Sequence, residues 1–417
     1  MSDAHKRLLM AAFVAPMDGP VLRDAAIVFV GDSILAVGDA ATLRADHPDA
    51  IVEDLGNTIL LPGLVNAHAH LELSDCDPIE PLGNATFTDW IVQLRPRLRV
   101  GERTIEEAAA AGVARGVAQC LRFGTTTIGD ISQQHDVTRP LLRDGPLRVV
   151  SYGEALGLAG ARPRFERLLS TATATSQASD WLRIGLSPHA PYTVDLAGYC
   201  QCLQLARTHR FPLATHLAET PDEEAFLSDQ SGPFRAVWER LGAWADGVET
   251  FPDTPIRFAH AIGLLAHPTL LAHVNYCDDG ELSLLAAGRA SVVYCPRTHA
   301  YFGHPPHRWR QMLAAGINVA VGTDSCASSP DLNLVDDLRL LHRVAPEVSP
   351  LDLWRMATVQ AAMALEMADT IGSLTAGNRA DIVGFAANGD EPLREILEGD
   401  HLPTAVWIGG TRQERGR

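Results

Sequence analysis

Short apolar runs alternate along this chain with longer stretches whose apolar residues recur at helical spacing. The runs fall at 59–65, 124–130, 147–153, 182–188, 211–216, 269–274, 291–295 and 317–323. The stretches 104–123, 196–209, 234–243 and 308–315 between them carry the helical pattern. Eight strands joined by crossover helices predict an α/β fold, a (β/α)8 TIM-type barrel. The two ends of the chain read differently. Residues 25–30 and 33–37 are β-rich and flank Gly31-Asp32, a hairpin signal, and residues 380–385 and 404–410 look similar. Two isolated hairpins would be marginal alone, so both ends are expected to meet in one small β domain. The expected domains are 1–60 plus 366–417 for that β domain and 61–365 for the barrel. Two long connections, 71–103 and 244–257, are candidates for lids or substrate loops.

Composition narrows the functions open to such a barrel. With 417 residues and 46% hydrophobic content the chain can bury a large core, and no apolar run is long enough to span a bilayer. The first residues carry no convincing small-residue cleavage site, so the expected location is the cytoplasm. A net charge of -17 argues against nucleic acid and anionic membrane as partners. Seven scattered cysteines, an odd number, fit reduced thiols better than a disulfide framework. Lys6 is the only lysine. That excludes Schiff-base chemistry, a Walker-type phosphate loop and a carbamylated lysine bridging two metals.

The candidate chemistry sits where strands end. The run Leu60-Leu61-Pro62-Gly63-Leu64-Val65-Asn66-Ala67 leads into His68-Ala69-His70. Side chains alternate along a strand, so His68 and His70 point the same way, a half-shell for a divalent metal. The fifth strand ends in His216 with Glu219 three residues on, the sixth in His273, and the eighth in Gly322-Thr323-Asp324. Taken singly each has a plainer reading: a strand-end histidine, an acidic first helical turn, a core histidine, a helix N-cap. Taken together at strand ends, three histidines and an aspartate make a mononuclear site with room for water, whose proton the metal would loosen. Glu219 is not needed as a ligand and is free for proton transfer. His273 is either a ligand or the group that holds and polarises the attacking water.

In this order the motifs resemble the amidohydrolase superfamily, and more narrowly its cytosine deaminase-like and triazine hydrolase-like (chlorohydrolase) branch, with adenosine-analogue and aminodeoxyfutalosine deaminases. Residues 61–70, Ser187-Pro188-His189-Ala190-Pro191-Tyr192-Thr193, Gly322-Thr323-Asp324-Ser325 and 372–381 carry the likeness, which covers nearly the whole chain. The resemblance implies His68, His70, His216 and Asp324 as ligands of one divalent metal, zinc first and iron second. It implies Glu219, His273 and Asp324 as catalytic groups: Glu219 shuttles protons, His273 orients the water, and Asp324 also accepts its proton. His189 would hydrogen-bond the heterocycle. Glu72 and the loop residue Trp90 are further substrate candidates, with Glu72 as an orienting partner of a ligand histidine and Trp90 as a loop anchor as their plainer roles. The sequence departs from the branch at Cys295-Pro296-Arg297-Thr298-His299, where His299 replaces the usual Asn. Arg297 and His299 are therefore added as substrate candidates, Arg297 meeting either an anionic substrate group or acidic residues on neighbouring loops.

The implied activity is hydrolytic deamination of an amino-substituted heterocycle by a metal-bound hydroxide, on a purine nucleoside-type substrate such as an adenosine analogue or aminodeoxyfutalosine. One alternative is cleavage of another C–N or C–Cl bond, of the chlorohydrolase or cyclic-amide type. A second is an inactive barrel that binds metal or ligand. The expected partner is a small heterocyclic substrate; many such relatives form dimers, which makes a homodimer an open expectation, and the sequence carries no interface signature for it.

Overall fold

Gly63 breaks the first apolar run in two. A Cβ there would lie 2.2 Å from Thr126 Oγ1, so only glycine fits, and the chain changes sheets at this point. The computed structural model describes residues 5–79, 86–97 and 103–414. Before the break lie β1 (Lys6–Val14), β2 (Leu22–Val30), β3 (Ser33–Asp39), β4 (Ile51–Asp54) and β5 (Thr58–Pro62). After it come β6 (Leu64–Ala69), β7 (Thr125–Ser132), β8 (Arg148–Ala155), β9 (Leu182–Pro188), β10 (Leu213–Leu217), β11 (Thr269–His273), β12 (Ser291–Tyr294) and β13 (Val319–Val321). The chain ends in β14 (Ile382–Ala386), β15 (Pro403–Ile408) and β16 (Thr411–Arg412). The expected strand at 59–65 is thus two strands, β5 in the terminal sheet and β6 in the barrel.

Contacts divide the chain into two compact units. The first is Met1–Ala67, Val117–Ile128 and Asn333–Arg417; the second is His68–Gly116 and Gly129–Leu332. In the first, a sheet of order β16-β15-β14-β5-β1-β2-β3, with β4 beside β1, brings both chain ends together. β2 and β3 pair antiparallel around the expected Gly31-Asp32 turn, and β14 pairs antiparallel with β5. A core of Leu9, Val14, Ile27, Phe29, Leu60, Ile382 and Trp407 fills one side of that sheet.

The eight strands β6 to β13 form the second sheet in sequence order, with helices between them. The pairs with a stated register from β8 onward are all parallel. Ala69 bridges Asp324 in parallel fashion, so the residue after the first strand's His68 meets the one just past the last strand, and the ring is nearly closed. Every residue of β6, β7, β8, β10 and β11 is buried, and the polar ones among them, such as Asp130, Ser151 and Thr215, are buried with the rest. One buried cation braces the ring from within the second unit. Arg139 donates to Ser151 Oγ at 3.1 Å, the Ser151 carbonyl at 3.2 Å, the Gly185 carbonyl at 3.3 Å and the Ala172 carbonyl at 2.9 Å. It ties β8 to β9, whose C-terminal ends carry side chains of the site. Among the described residues no helix is long and apolar enough to cross a membrane.

Candidate metal centre and active site

Strand alternation delivers His68 and His70 to one point at the end of β6, and the neighbouring strands deliver the rest. His70 Nε2 lies 3.5 Å and His68 Nε2 3.7 Å from Asp324 Oδ1. His216 Nε2 stands 3.3 Å from His70 Nε2. The donor atoms of His68, His70 and His216 all lie within 4.8 Å of one another. Gly322 makes this convergence possible, since a Cβ there would meet the His68 carbonyl at 2.7 Å. His216 Nδ1 faces the His189 carbonyl at 3.0 Å, which accepts its hydrogen and leaves a lone pair on Nε2. Three imidazole nitrogens and one carboxylate oxygen around a single point are a donor set that fits one divalent cation.

Electrostatics agree with that use. Burial, then the neighbouring His68, pushes His70 down to about 4. Burial and the adjacent His189 pull His216 well below its ordinary value. Imidazoles that stay neutral are the ligand form. Burial alone would raise Asp324, but the facing imidazoles of His68, His273 and His70 hold the carboxyl below its usual range.

Beside the donor set, Glu219 and His273 face each other, Oε1 to Nε2, at 3.4 Å. Glu219 is 5% exposed; burial, then the charges of Asp324 and Glu223, raises its carboxyl well above the ordinary value. Burial pushes His273 down to about 3. The backbone is turned sharply here: Ala218, His273, Val274 and Asp324 all have positive φ, of 51°, 73°, 51° and 57°. For a β-branched residue such as Val274 that conformation is strained and persists only when its surroundings impose it. The impositions are visible. Val274 N donates to the Leu217 carbonyl at 3.0 Å, Asn275 Nδ2 to the Glu219 carbonyl at 3.0 Å, and His307 Nε2 to the His273 carbonyl at 2.9 Å. The Glu223 carboxylate collects three backbone N–H groups, from Ala218 at 3.0 Å, Glu219 at 2.6 Å and Thr220 at 3.2 Å. Glu223→Gln replaces one of those oxygens by an N–H donor that opposes its neighbours. We expect about a tenfold loss in kcat with cation uptake unchanged, from the weight of hydrogen bonds to a charged group; steady-state ammonia release and metal analysis on the variant check it.

A cavity of about 870 Å³ opens over this centre. Its wall includes His70, His216, Glu219, His273 and Asp324, with His189, Glu72 and Trp90. His189 lies beside His216, ring centroids 4.9 Å apart. Glu72 accepts from Ser132 Oγ at 2.6 Å and from the backbone N–H groups of Gln133 at 3.1 Å and Gln134 at 2.9 Å. Trp90 donates from Nε1 to the Ala327 carbonyl at 3.3 Å and packs near Phe87 and Phe302. Arg297 and His299 are not in the wall. Arg297 grips Asp331 through its side chain at 2.7 Å and its carbonyl at 2.8 Å, and His299 Nε2 meets the Pro305 carbonyl at 2.9 Å. Both brace loops, the acidic-neighbour reading for Arg297.

Sequence reasoning passed over Glu154, Glu223, Asn275 and His307. Glu154 lies one residue short of the end of β8, so the same strand-end rule would have found it. Glu223 sits in an acidic first turn, Asp222-Glu223-Glu224, indistinguishable in sequence from any helix start.

Comparison with known proteins gives a consistent picture. A model of the amidohydrolase family matches residues 59–412, and one of the imidazolonepropionase-like composite domain of bacteria matches residues 25–50. The chain is 31% identical over 347 residues to aminodeoxyfutalosine deaminase of Deinococcus radiodurans, covering 79% of each. It is 29% identical over 392 residues to 5-methylthioadenosine/S-adenosylhomocysteine deaminase of Nitratidesulfovibrio vulgaris, covering 90% of this chain and 82% of that one. Among solved structures, Helicobacter pylori aminofutalosine deaminase in complex with methylthio-coformycin shares the fold with a TM-score of 0.85 at 23% identity, covering 98% of this chain and 100% of that one.

Proposed function

The chain belongs to the amidohydrolase family, and from that premise we propose that it is a hydrolytic deaminase of an amino-substituted heterocycle, on a purine nucleoside-type substrate such as an adenosine analogue or aminodeoxyfutalosine. The relatives of similar length with deaminase names support the reaction class. The observation that carries the reading is Glu219: a buried carboxyl with raised proton affinity, at the cavity wall beside the donor set.

His68, His70, His216 and Asp324 hold the cation, zinc by the chemistry of its nitrogen and oxygen donors and iron as the second choice. When bound, the ion supplies the Lewis acidity that makes water a nucleophile near neutral pH. Glu219 takes a proton from the attacking water at its carboxylate and passes it to the ring nitrogen of the N=C–NH2 unit. His273 Nε2 orients the water. Asp324 accepts the remaining proton and returns it to the departing amino group. Water is consumed, the ring carbon gains a carbonyl, and ammonia leaves. His189, Glu72 and Trp90 bind the substrate; the 870 Å³ volume, with Phe87, Tyr192 and Phe234 among its lining, has room for a nucleoside and an attached group. The domain division 1–60 plus 366–417 and 61–365, a cytoplasmic location, a homodimer, and the absence of nucleic-acid and membrane partners complete the proposal, the last supported by the net charge of -17.

The test is ammonia release from the zinc-loaded protein with adenosine, methylthioadenosine, S-adenosylhomocysteine, aminodeoxyfutalosine, guanine, cytosine and a chlorotriazine. Turnover of a 6-aminopurine nucleoside is the expected result. Chloride release without ammonia would replace the deaminase by a chlorohydrolase, and silence across the panel would reject the substrate class.

A further inference from the structure

One carboxyl on the cavity wall, Glu154, is left unused by the reaction above, and it faces His189, a substrate contact in that reaction. Glu154 lies near the C-terminal end of β8, and His189 directly follows β9. Glu154 is 2% exposed, yet its Oε1 has no hydrogen-bond partner. An unsatisfied buried carboxylate oxygen costs free energy unless something arrives to meet it. His189 Nε2 is the facing atom, 3.8 Å away, too far for a hydrogen bond.

The hydrogens around His189 show which face it turns to Glu154. Its Nδ1 lies 2.7 Å from Thr193 Oγ1, and the Thr193 hydroxyl donates to the Ala190 carbonyl at 3.0 Å. With that hydroxyl hydrogen spent, Nδ1 carries the imidazole hydrogen and Nε2 turns a lone pair toward the carboxylate. Two acceptors therefore face each other across a gap that two metal–ligand bonds of about 2.0–2.2 Å would span. Arg164 Nη2 donates to Gln133 Oε1 at 2.8 Å, and the Gln133 side chain and the Arg164 charge both favour the ionised form of Glu154 against its burial. A ligand atom of His216 lies within 4.8 Å of those of Glu154 and His189.

We propose that Glu154 and His189 form a second, weaker divalent-cation site, completed by water, and that its occupation blocks the substrate cavity. Two protein ligands instead of four make it the weaker site. Its position on the wall makes the second cation compete with substrate, so free metal in excess throttles the enzyme while the first ion sustains it.

The experiment is equilibrium dialysis of the chelator-stripped full chain against zinc chloride, with metal analysis, and a parallel cobalt(II) titration read by visible absorbance. The wild type should take up one equivalent tightly and a second at least about a hundredfold more weakly, the gap expected between four ligands and two. Glu154→Gln should keep the first equivalent, which also shows that the variant is folded, and weaken the second at least tenfold; His189→Gln should do the same. Excess zinc should inhibit the wild type and not Glu154→Gln. These stoichiometries do not depend on which substrate the protein turns over. A single equivalent in the wild type up to about 1 mM free zinc, or a second equivalent that survives Glu154→Gln, overturns the proposal. So does a variant whose KM rises with zinc stoichiometry unchanged, which would mark Glu154 as a contact for a substrate donor.

Discussion

Glu219→Gln should lower kcat by about a thousandfold while leaving the bound metal in place, within the range of a positioned general acid–base group. The substitution keeps the shape of the side chain and removes its ability to carry a proton between water and ring nitrogen. It leaves His68, His70, His216 and Asp324 untouched, so metal content measured on the purified variant should equal that of the wild type. Glu219 is buried against His273 at 3.4 Å, so no bulk water can take over its task at comparable proximity. KM should change little, because the loss falls on the step and not on the ground state. A variant with wild-type turnover would remove Glu219 from the mechanism; one that loses both turnover and metal would recast it as a support of the donor set.

Removal of the metal should have an effect at least as large. A chain stripped by a chelator, with residual metal verified as absent, should fall below about one per cent of the loaded rate, since metal activation of water is worth several orders of magnitude. One equivalent of zinc should restore it. The donor set explains why nothing in the chain substitutes: burial holds His70 and His216 neutral, and Lys6 is the only lysine of the sequence. Full activity after verified removal would exclude this role for His68, His70, His216 and Asp324. Stripping should also lower the unfolding temperature, because a cation bound only by the folded arrangement stabilises it.

What could be read in advance followed from residues whose local setting and final position in the fold coincide. The helix expected at 196–209 is Leu196–His209, and the strand at 182–188 is Leu182–Pro188, because each is bounded by polar or turn residues that fix its ends. His68, His70, His216 and His273 were visible because a histidine at the end of a buried run contradicts the apolar pattern around it. The break at Gly63 was not, since the pattern Leu-Leu-Pro-Gly-Leu-Val reads as one strand; only the contact with Thr126, far along the sequence, forces the change of sheet. Glu223 and His307 escaped for the same reason. Each acts on a backbone group brought near by the fold, the loop N–H groups at 218–220 or the carbonyl of His273, and backbone groups leave no mark on a sequence. Arg297 and His299 stood out as departures from a family pattern, yet the fold employs them as loop braces, which a motif cannot distinguish from a ligand contact.

The bridge between Ala69 and Asp324 has a consequence for how the protein comes into being. It joins residues from opposite ends of the barrel sequence, a pairing whose loop-closure entropy is offset only when the intervening strands are in place. A growing chain on the ribosome, even with six or seven strands emerged, lacks Asp324, the carboxylate proposed to complete the metal's shell. On the proposed ligand set, capture of the ion would be coupled to the last act of folding, and a truncated or half-folded copy should hold little metal in a cell where that ion is scarce.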